Sequence, residues 1–464
     1  MVKILFFDFR HCEIVDGFKR KIEKPKKFEG NPIFVSGHLL EENWISLYGS
    51  VLRRPDGLWQ MWYTTIMRGK GNLVLGYAES EDGIKWERVE KDAIIIDGNK
   101  THFVFDREPH GAAIIYDDKE EREELKYKMI CGASPSGCIS VFYSRDGIHW
   151  NPSRKNPVIG TNPDCPMSLL RLKSGKYVAY HRPVFGDRRI ARSESWDFVN
   201  WSEAKTVIDQ SPLDLPQIQF YGLGAIQYGE YEIGTLWIYH TDRNDFGFWK
   251  MEGYQEPELA YTRTGYAWHR IEINTPWIER GKENEWDWGQ IQPASSPVFL
   301  EDEIRFYYTG QRTTHGKSLK VWDRSEPRSG IGFAFIKPDR FVGLVCEDGL
   351  LLTRPFWTET GKFFINANVK GYLKAEITDI SGKPIEGFEM ENSIPIKGES
   401  ISHQFKWKGN PDILKTTNRD IRFKIKANKA VIYSIFSGNE KEIGKYWDFR
   451  IPYFPFEREK IYII

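Results

Sequence analysis

Four carboxylates stand where the chain passes from a polar, turn-rich segment into an alternating apolar run: Glu42 in HLLEENWISLYGSV, Asp106 in VFDREPHGAAI, Asp164 in TNPDCPMSLL and Asp287 in EWDWGQIQPAS. Comparable positions hold His110, then Gln219 and Tyr221 in LPQIQFYGLG, and Gln292. Segments that follow a second alternating run add Arg68, His181 and Arg182 in AYHRP, His240, Asp242 and Arg243 in YHTDRND, and Gln311, Arg312 and His315 in TGQRTTHG. Carboxyl groups, amides, guanidiniums, imidazoles and flat rings drawn from distant stretches suit sugar chemistry. Hydroxyl arrays take bidentate bonds from planar donors and acceptors, and cleavage of a glycosidic bond uses two carboxyl groups, one protonated and one ionised. Asp164, Asp287, Asp106 and Glu42 are therefore the expected catalytic residues. His110, His181, Arg182, Gln219, Tyr221, Asp242, Gln292, Arg312 and His315 are the expected substrate-binding set, and no metal ligand is expected.

Each candidate also has a plain structural use. An acid at a strand entry caps backbone amides, an arginine pairs with a neighbouring acid, and Trp286 and Trp288 around Asp287 suit a packed aromatic layer as well as a sugar platform.

The elements that must position these groups are read from a repeat. SEDGIKW at 80–86 nearly recurs as SRDGIHW at 144–150. Each copy closes a longer unit. GSVLRRPDGLWQMWYTT is two alternating strands joined at a Pro-Asp-Gly turn, and NLVLGYAESEDGIKWERV is a third strand ending in the motif. GAAIIYDDKEEREELKYKMICGA with CISVFYSRDGIHW repeats the unit. MSLLRLKSGKYVAYHRP with RIARSESWDFVNW, LGAIQYGEYEIGTLWIYHT with PELAYTRTGYAWHRI, and SSPVFLEDEIRFYYTGQ with SGIGFAFIKPDRFVGL give three more. Trp86, Trp150, Trp201 and Trp268 fall 64, 51 and 67 residues apart, which allows about four strands per unit. Radially repeated four-stranded antiparallel sheets make a β-propeller, here of five blades over residues 1–338. Asp-Gly supplies the positive φ of a hairpin connection, and the indole is expected to wedge between blades.

Beyond residue 338 the Asp-Gly-x-x-Trp signature stops. GKFFINANVKGYLKAEITDISGKPIEGFEMENSIPI and HQFKWKGNPDILKTTNRDIRFKIKANKAVIYSIF alternate between Gly, Pro and Asn turns, which reads as a β-sandwich over 339–464. The first 30 residues and YWDFRIPYFPFEREKIYII carry neither signature and read as strands packing the domains. The fold class is all-β.

A propeller works at one end of its axis, where the loops entering each innermost strand meet the loops joining second strands to third. The acidic hairpins LRRPDGLWQ and YDDKEEREELKY join first strands to second, so they belong to the opposite end and read as solvated surface.

Bulk numbers exclude other classes. Lys+Arg and Asp+Glu are both 65, which gives no electrostatic case for a nucleic acid or membrane partner. The opening MVKILFFDFRHCE has an apolar run too short for a signal peptide, and no window reaches the roughly 18 apolar residues of a membrane span. Cys12, Cys131, Cys138, Cys165 and Cys346 are scattered and odd in number, so a reduced, cytoplasmic protein without structural zinc, and with no cofactor, is expected. The aromatic content is high, with 17 Trp, 22 Tyr and 29 Phe, and fits both inter-sheet wedges and a ring-lined cleft.

Asn31-Pro32, Met61-Trp62-Tyr63, the two S-x-DG-x-x-W copies and Tyr307-Tyr308-Thr309-Gly310 give the chain its family likeness. It resembles the five-bladed β-propeller glycoside hydrolases of the family 32/43 kind, and looks most similar to members with a C-terminal β-sandwich. That resemblance implies three carboxylates at the entries of blades one to three: a nucleophile or base, a transition-state stabiliser and an acid. Glu42, Asp106 and Asp164 occupy the matching places. Glu42 stands where the family carries Asp, Asp106-Arg107 reverses an Arg-Asp pair, and Asp164-Cys165 stands where Glu-Cys is the family pattern, so the acid falls to Asp164 or to Asp287.

The expected function is a glycoside hydrolase, exo-acting on a furanoside or related sugar, with an oligosaccharide or glycoside as partner. Two alternatives are a non-catalytic carbohydrate-binding propeller, suggested by the amides Gln217 and Gln219, and a phosphorylase, for which Arg182, Arg243 and Arg312 would supply the phosphate pocket.

Overall fold

The computed structural model describes residues 2–133, 137–160, 164–183, 188–215, 217–242, 251–316 and 327–438. Strands dominate them, and the helical elements among the described residues are short 3-10 turns such as Glu123–Leu125 and Ile413–Thr416. No helix among them is long and apolar enough to cross a membrane. The chain divides into two compact units, one of residues 25–298 with 304–335, the other of residues 1–24, 299–303 and 336–464.

The larger unit is a series of antiparallel sheets. The first contains Glu41–Arg53, Trp59–Met67 and Leu73–Ser80, with Glu87–Arg88 at its edge. The second runs His110–Tyr116, Tyr127–Gly132, Ile139–Ser144 and Asn151–Pro152, and the third Pro166–Arg171, Tyr177–His181, Ile190–Ser195 and Lys205–Ile208. The fourth holds Ile218–Tyr228, Tyr231–Thr241, Gly253–Thr262 and His269–Arg270. The fifth has Gln290–Pro293, Ile304–Gln311 and Ser329–Ile336, and its outer partners, Lys26–Lys27 and Phe34–Val35, come from the start of the chain. One parallel pairing, Gln255 with Gln290, joins the fourth and fifth sets of strands into a single ten-stranded sheet.

The first strands of these five sheets touch one another in cyclic order, first to second and onward to fifth and back to first. Small residues allow this approach. The Ser50 hydroxyl meets that of Ser295 at 2.7 Å and accepts the Ile114 N–H at 2.8 Å, while Ser168 donates to the Ser295 carbonyl at 2.8 Å. These bonds satisfy backbone groups that lack a ladder partner where the strands converge.

The S-x-D-G motif is a side-chain-closed turn. Asp82 Oδ1 accepts the N–H groups of Ile84 and Lys85 at 2.7 and 2.8 Å, and Ser80 Oγ accepts Gly83 N–H at 2.9 Å. Asp146 and Ser144 repeat this with Ile148, His149 and Gly147. The turn then docks on a neighbouring sheet. Trp62 of the first sheet donates its indole N–H to the Gly147 carbonyl at 2.7 Å, and Tyr307 of the fifth donates to the Gly83 carbonyl at 2.6 Å. Glycine is required twice over there, because Gly147 has φ 77° and a Cβ on it would lie 2.6 Å from Trp62. The tryptophans that close the units are half-buried, Trp86 edge-on to Tyr307 of the fifth sheet at 6.2 Å and Trp268 edge-on to Tyr180 of the third at 5.5 Å.

In the smaller unit Cys12–Ile22, Val342–Thr353, Arg419–Ser437, Phe363–Thr378 and Ile396–Gln404 lie in that order in a single seven-stranded sheet, with Lys3–Leu5 and Phe356–Thr358 also on Arg419–Ser437. Leu344, Leu351, Ile365, Phe423, Ile425 and Trp407 lead its core. Residues 3–22 thus belong to this unit while 26–35 complete the fifth sheet of the other. YWDFRIPYFPFEREKIYII lies outside the described residues.

Candidate functional site

Three of the first strands open with the same irregularity. Register slips by one residue between His110 and Ala112 in the second sheet, between Pro166 and Ser168 in the third, and between Phe220 and Gly222 in the fourth. The extra residues are Gly111, Met167 and Tyr221. A bulge turns a side chain off the pleat, and here it aims Met167 and Tyr221 into one buried cluster with Tyr48, Cys165, Trp237, Tyr239 and Met251. Gly111 makes room instead, since a Cβ there would lie 2.3 Å from the Pro166 carbonyl oxygen. Trp237 and Tyr239, two residues apart on one strand, share a face. Trp237 stacks with Tyr48 at 5.8 Å and with Tyr221 at 6.3 Å, and His315 meets the ring of Tyr239 at 5.0 Å and that of Tyr221 at 5.6 Å.

Asp164 stands beside this cluster. Its carboxylate lies 2.9 Å from the Arg182 guanidinium and 3.2 Å from His110 Nδ1. Its backbone N–H donates to the Arg182 carbonyl at 3.0 Å, which ties the entry of the third sheet to the end of its second strand. Asp164 and Arg182 are buried, whereas the His110 side chain is 40% exposed. Burial raises the Asp164 carboxyl, but the Arg182 charge and the His110 hydrogen bond outweigh it and hold the group well below the usual carboxylate range. The acid is ionised at neutral pH. Asp164 faces Nδ1 of the His110 ring, and Nε2 is the ring's other nitrogen. The neighbouring Cys165 thiol is pushed up to about 12 by burial and is no nucleophile.

Other expected residues fall in this neighbourhood. Arg182 lies 4.8 Å from the Tyr221 ring centre, and the Tyr221 hydroxyl is 3.3 Å from His315 Nε2. His315 Nδ1 faces the Tyr239 hydroxyl at 2.9 Å and the Met251 carbonyl at 3.1 Å, and burial pushes its pKa down to about 4. Gln219 is buried and accepts from Arg188 at 2.9 Å. Gln292 is buried in an amide chain, donating to Gln255 at 2.9 Å and accepting from Gln311 at 3.2 Å.

The remaining candidates are engaged differently. Asp287 takes Lys27 at 2.6 Å and the Tyr308 hydroxyl at 3.0 Å, so its carboxylate holds the outer strand of the fifth sheet. Asp106 is exposed and makes no hydrogen bond or ion pair among the described residues; Glu42 is half-buried and likewise makes none. Its neighbour Glu41 is the buried acid, accepting from Arg88 through both oxygens at 2.9 Å, from Tyr63 at 2.6 Å and facing His102 at 2.8 Å. His38, Glu41 and His102 bring ligand-type atoms within 4.8 Å of one another, and the guanidinium spanning Glu41 opposes a dication there. His181 is fully buried between Ser193 Oγ and the Arg182 carbonyl, both at 3.1 Å. Asp242 is exposed and accepts the Glu252 N–H at 3.2 Å. Arg312 donates to the Asn284 carbonyl at 3.2 Å. Arg243 lies outside the described residues.

Sequence reasoning missed Tyr48, Trp237, Tyr239 and Arg188. The spacing of Trp237 and Tyr239 in LWIYHT was the available signal for that pair, and the bulge that turns Tyr221 toward them left none.

No family model matches the chain, and no curated protein matches it. Solved structures do. A glycosyl hydrolase from Bacteroides ovatus is 14% identical with a TM-score of 0.47 over 72% of this chain and 98% of its own. A structure from work on GH130 mannoside phosphorylases, and on the glycoside hydrolases among them that target β-1,2 mannosidic linkages in Candida mannan, is 15% identical with a TM-score of 0.47, covering 71% and 97%. An α-L-arabinofuranosidase from Podospora anserina in complex with cellotriose is 14% identical with a TM-score of 0.43, covering 69% and 97%.

Proposed function

We propose that this chain is a carbohydrate-active enzyme that cleaves a glycosidic bond at the Asp164 site. The observation that carries the reading is the Asp164 carboxylate held ionised between buried Arg182 and solvent-reaching His110, at the edge of the ring cluster formed by Tyr48, Tyr221 and Trp237. A fixed carboxylate stabilises the positive charge that develops at the anomeric carbon, and His110 Nε2 passes a proton between the glycosidic oxygen and water. A carboxylate clamped by a guanidinium is a poor proton donor, so the acid's work falls to His110 and not to Asp164. In the finer reading the enzyme is an end-acting hydrolase of a furanoside or related sugar, built as a five-bladed β-propeller followed by a β-sandwich. The described cysteines are all free, which suits the cytoplasm as its location.

The test is release of chromophore or reducing sugar from a panel of aryl glycosides and oligosaccharides, including arabinofuranosides, xylosides and mannosides. Turnover lost in Asp164→Asn supports the reading. Oligosaccharide binding by calorimetry with no turnover on any substrate would replace it with a non-catalytic carbohydrate-binding protein.

A further inference from the structure

The ring of His315 is held through both of its nitrogens. Nδ1 faces the Tyr239 hydroxyl at 2.9 Å and the Met251 carbonyl at 3.1 Å, while Nε2 faces the Tyr221 hydroxyl at 3.3 Å. Its backbone is tied as firmly, since His315 and Gly253 exchange N–H and carbonyl in both directions, at 2.8 and 3.2 Å. The partners fix where the hydrogens lie. The Tyr239 hydroxyl donates to the Met251 carbonyl, a group that only accepts. Tyr239 has then used its one hydrogen, so both partners of Nδ1 are acceptors and the ring's hydrogen sits on Nδ1. Nε2 of the neutral ring is a lone pair, and the Tyr221 hydroxyl donates to it.

The surroundings keep the ring neutral. Burial disfavours the imidazolium, and the charges of Arg188, Arg182 and Arg328 oppose it, against the favourable bond to the Met251 carbonyl. Glu252 and Asp242 act on the neighbouring Tyr239.

Tyr221 carries this arrangement to Asp164. Arg182 lies 4.8 Å from the Tyr221 ring centre and donates Nη1 to the Tyr221 carbonyl at 3.4 Å, and its Nη2 holds the Asp164 carboxylate at 2.9 Å. Trp237 and Tyr239 pack the same ring, stacked at 6.3 Å and edge-on at 5.5 Å. A phenol that donates its hydrogen gains electron density, and its face then attracts a cation more strongly.

We propose that His315 is a positioning residue: as a neutral acceptor it holds the Tyr221 ring against Arg182, and Arg182 in turn fixes the Asp164 carboxylate. The proposal rests on the Asp164 neighbourhood being the working site, and it names how that carboxylate is kept in place. Protonation undoes the arrangement, because an imidazolium has no lone pair for Tyr221 and adds a cation near Arg182.

Isotope-edited NMR of the histidine-labelled full chain reads the tautomer without substrate. The resonances lost in His315→Gln identify the ring, which should carry hydrogen on Nδ1 and none on Nε2 from about pH 8 to about pH 5.5. Hydrogen on Nε2, or an imidazolium in that range, overturns the proposal. Kinetics test the link to Asp164. His315→Asn keeps a donor near the Nδ1 position and loses the acceptor for Tyr221, whereas His315→Gln returns a carbonyl oxygen near Nε2. His315→Asn and Tyr221→Phe should each lower kcat at least about tenfold with KM within about threefold, the double variant should be no worse than the weaker single one, and His315→Gln should recover most of the loss. Tyr221→Phe keeps the ring and carries this arm if a His315 variant does not fold. Equal losses in the Asn and Gln variants, or losses that multiply in the double variant, overturn the proposal. Without any cleaved glycoside, urea unfolding supplies the coupling: His315→Asn and Arg182→Lys should lower the midpoint by less together than the sum of each alone, and additive shifts overturn it. A protein with that tautomer and that coupling that cleaves nothing fails only the glycosidase reading. One that cleaves glycosides and is indifferent to His315→Asn fails only this proposal.

Discussion

The carboxylate of Asp164 and the guanidinium of Arg182 lie 2.9 Å apart, with side chains only 5% and 2% exposed. Neither charge is near enough to bulk water to be solvated alone, so each depends on the other. Asp164→Asn leaves Arg182 as an isolated buried cation, a change that costs about 3–5 kcal/mol in comparable buried pairs. The variant should unfold earlier in urea and lose at least about 100-fold in kcat/KM on any glycoside the protein cleaves. A fully active Asp164→Asn variant would remove the site.

His110 separates chemistry from stability. Its side chain is 40% exposed and its ion-pair partner among the described residues is Asp164 at 3.2 Å, so His110→Asn should change the unfolding free energy by no more than about 0.5 kcal/mol. If the imidazole transfers a proton, kcat falls about 100-fold or more with KM little changed. A change confined to KM would instead assign His110 to binding hydroxyls.

Acid should destabilise the fold through histidines that do not carry the reaction. Burial pushes His181, His240 and His315 each down to about 4 from 6.5. Between those values the unfolded chain binds protons that the native state refuses, so stability is intact above about pH 6.5 and is lost as pH falls toward 4. Each imidazole contributes at most about 1.4 kcal/mol per pH unit in that window. Urea midpoints from pH 7 to 4.5 measure the slope, and His181→Asn, far from solvent between Ser193 and the Arg182 carbonyl, should flatten it.

The motif turn gives a conformational prediction with its own control. Gly147→Ala forces a left-handed φ of 77° on an L-residue and drives a Cβ to 2.6 Å from Trp62, for an expected loss of about 2–4 kcal/mol. Gly57, with φ 97° and nothing within 4 Å of a built Cβ, should lose only the conformational part, about 1–2 kcal/mol. Thermal unfolding of the two alanine variants separates clash from backbone cost.

What the sequence made legible was whatever is written in adjacent residues. Ser-x-Asp-Gly carries its own hydrogen bonds, so the turns at 80–83 and 144–147 could be read as scaffold before any contact was known. The docking partner of each turn could not, because Trp62 and Tyr307 lie in other sheets. The bulges that turn Met167 and Tyr221 inward add one residue to a strand without changing its composition. Asp164 was found because a strand entry places a carboxylate at the end of a sheet, and that argument is blind to the partner the carboxylate finds across the fold.

Asp287 shows the same blindness from the other side. Between two tryptophans at a strand entry it has the local look of a catalytic acid, yet Lys27, 260 positions away, sits 2.6 Å from its carboxylate and Tyr308 donates to it at 3.0 Å. The Lys27 side chain keeps 31% of its surface in water, so this pair is softer than the Asp164–Arg182 pair and its loss is expected to cost about 1–3 kcal/mol. Asp287→Asn should therefore lower the melting temperature and loosen the edge formed by Lys26–Lys27, read as faster hydrogen exchange at Ala334 and Phe335, with which that edge pairs. Its kcat/KM should stay within about threefold of the parent. A hundredfold loss of kcat in a variant with unchanged exchange would return Asp287 to the chemistry and leave Asp164 as its charge-stabilising partner.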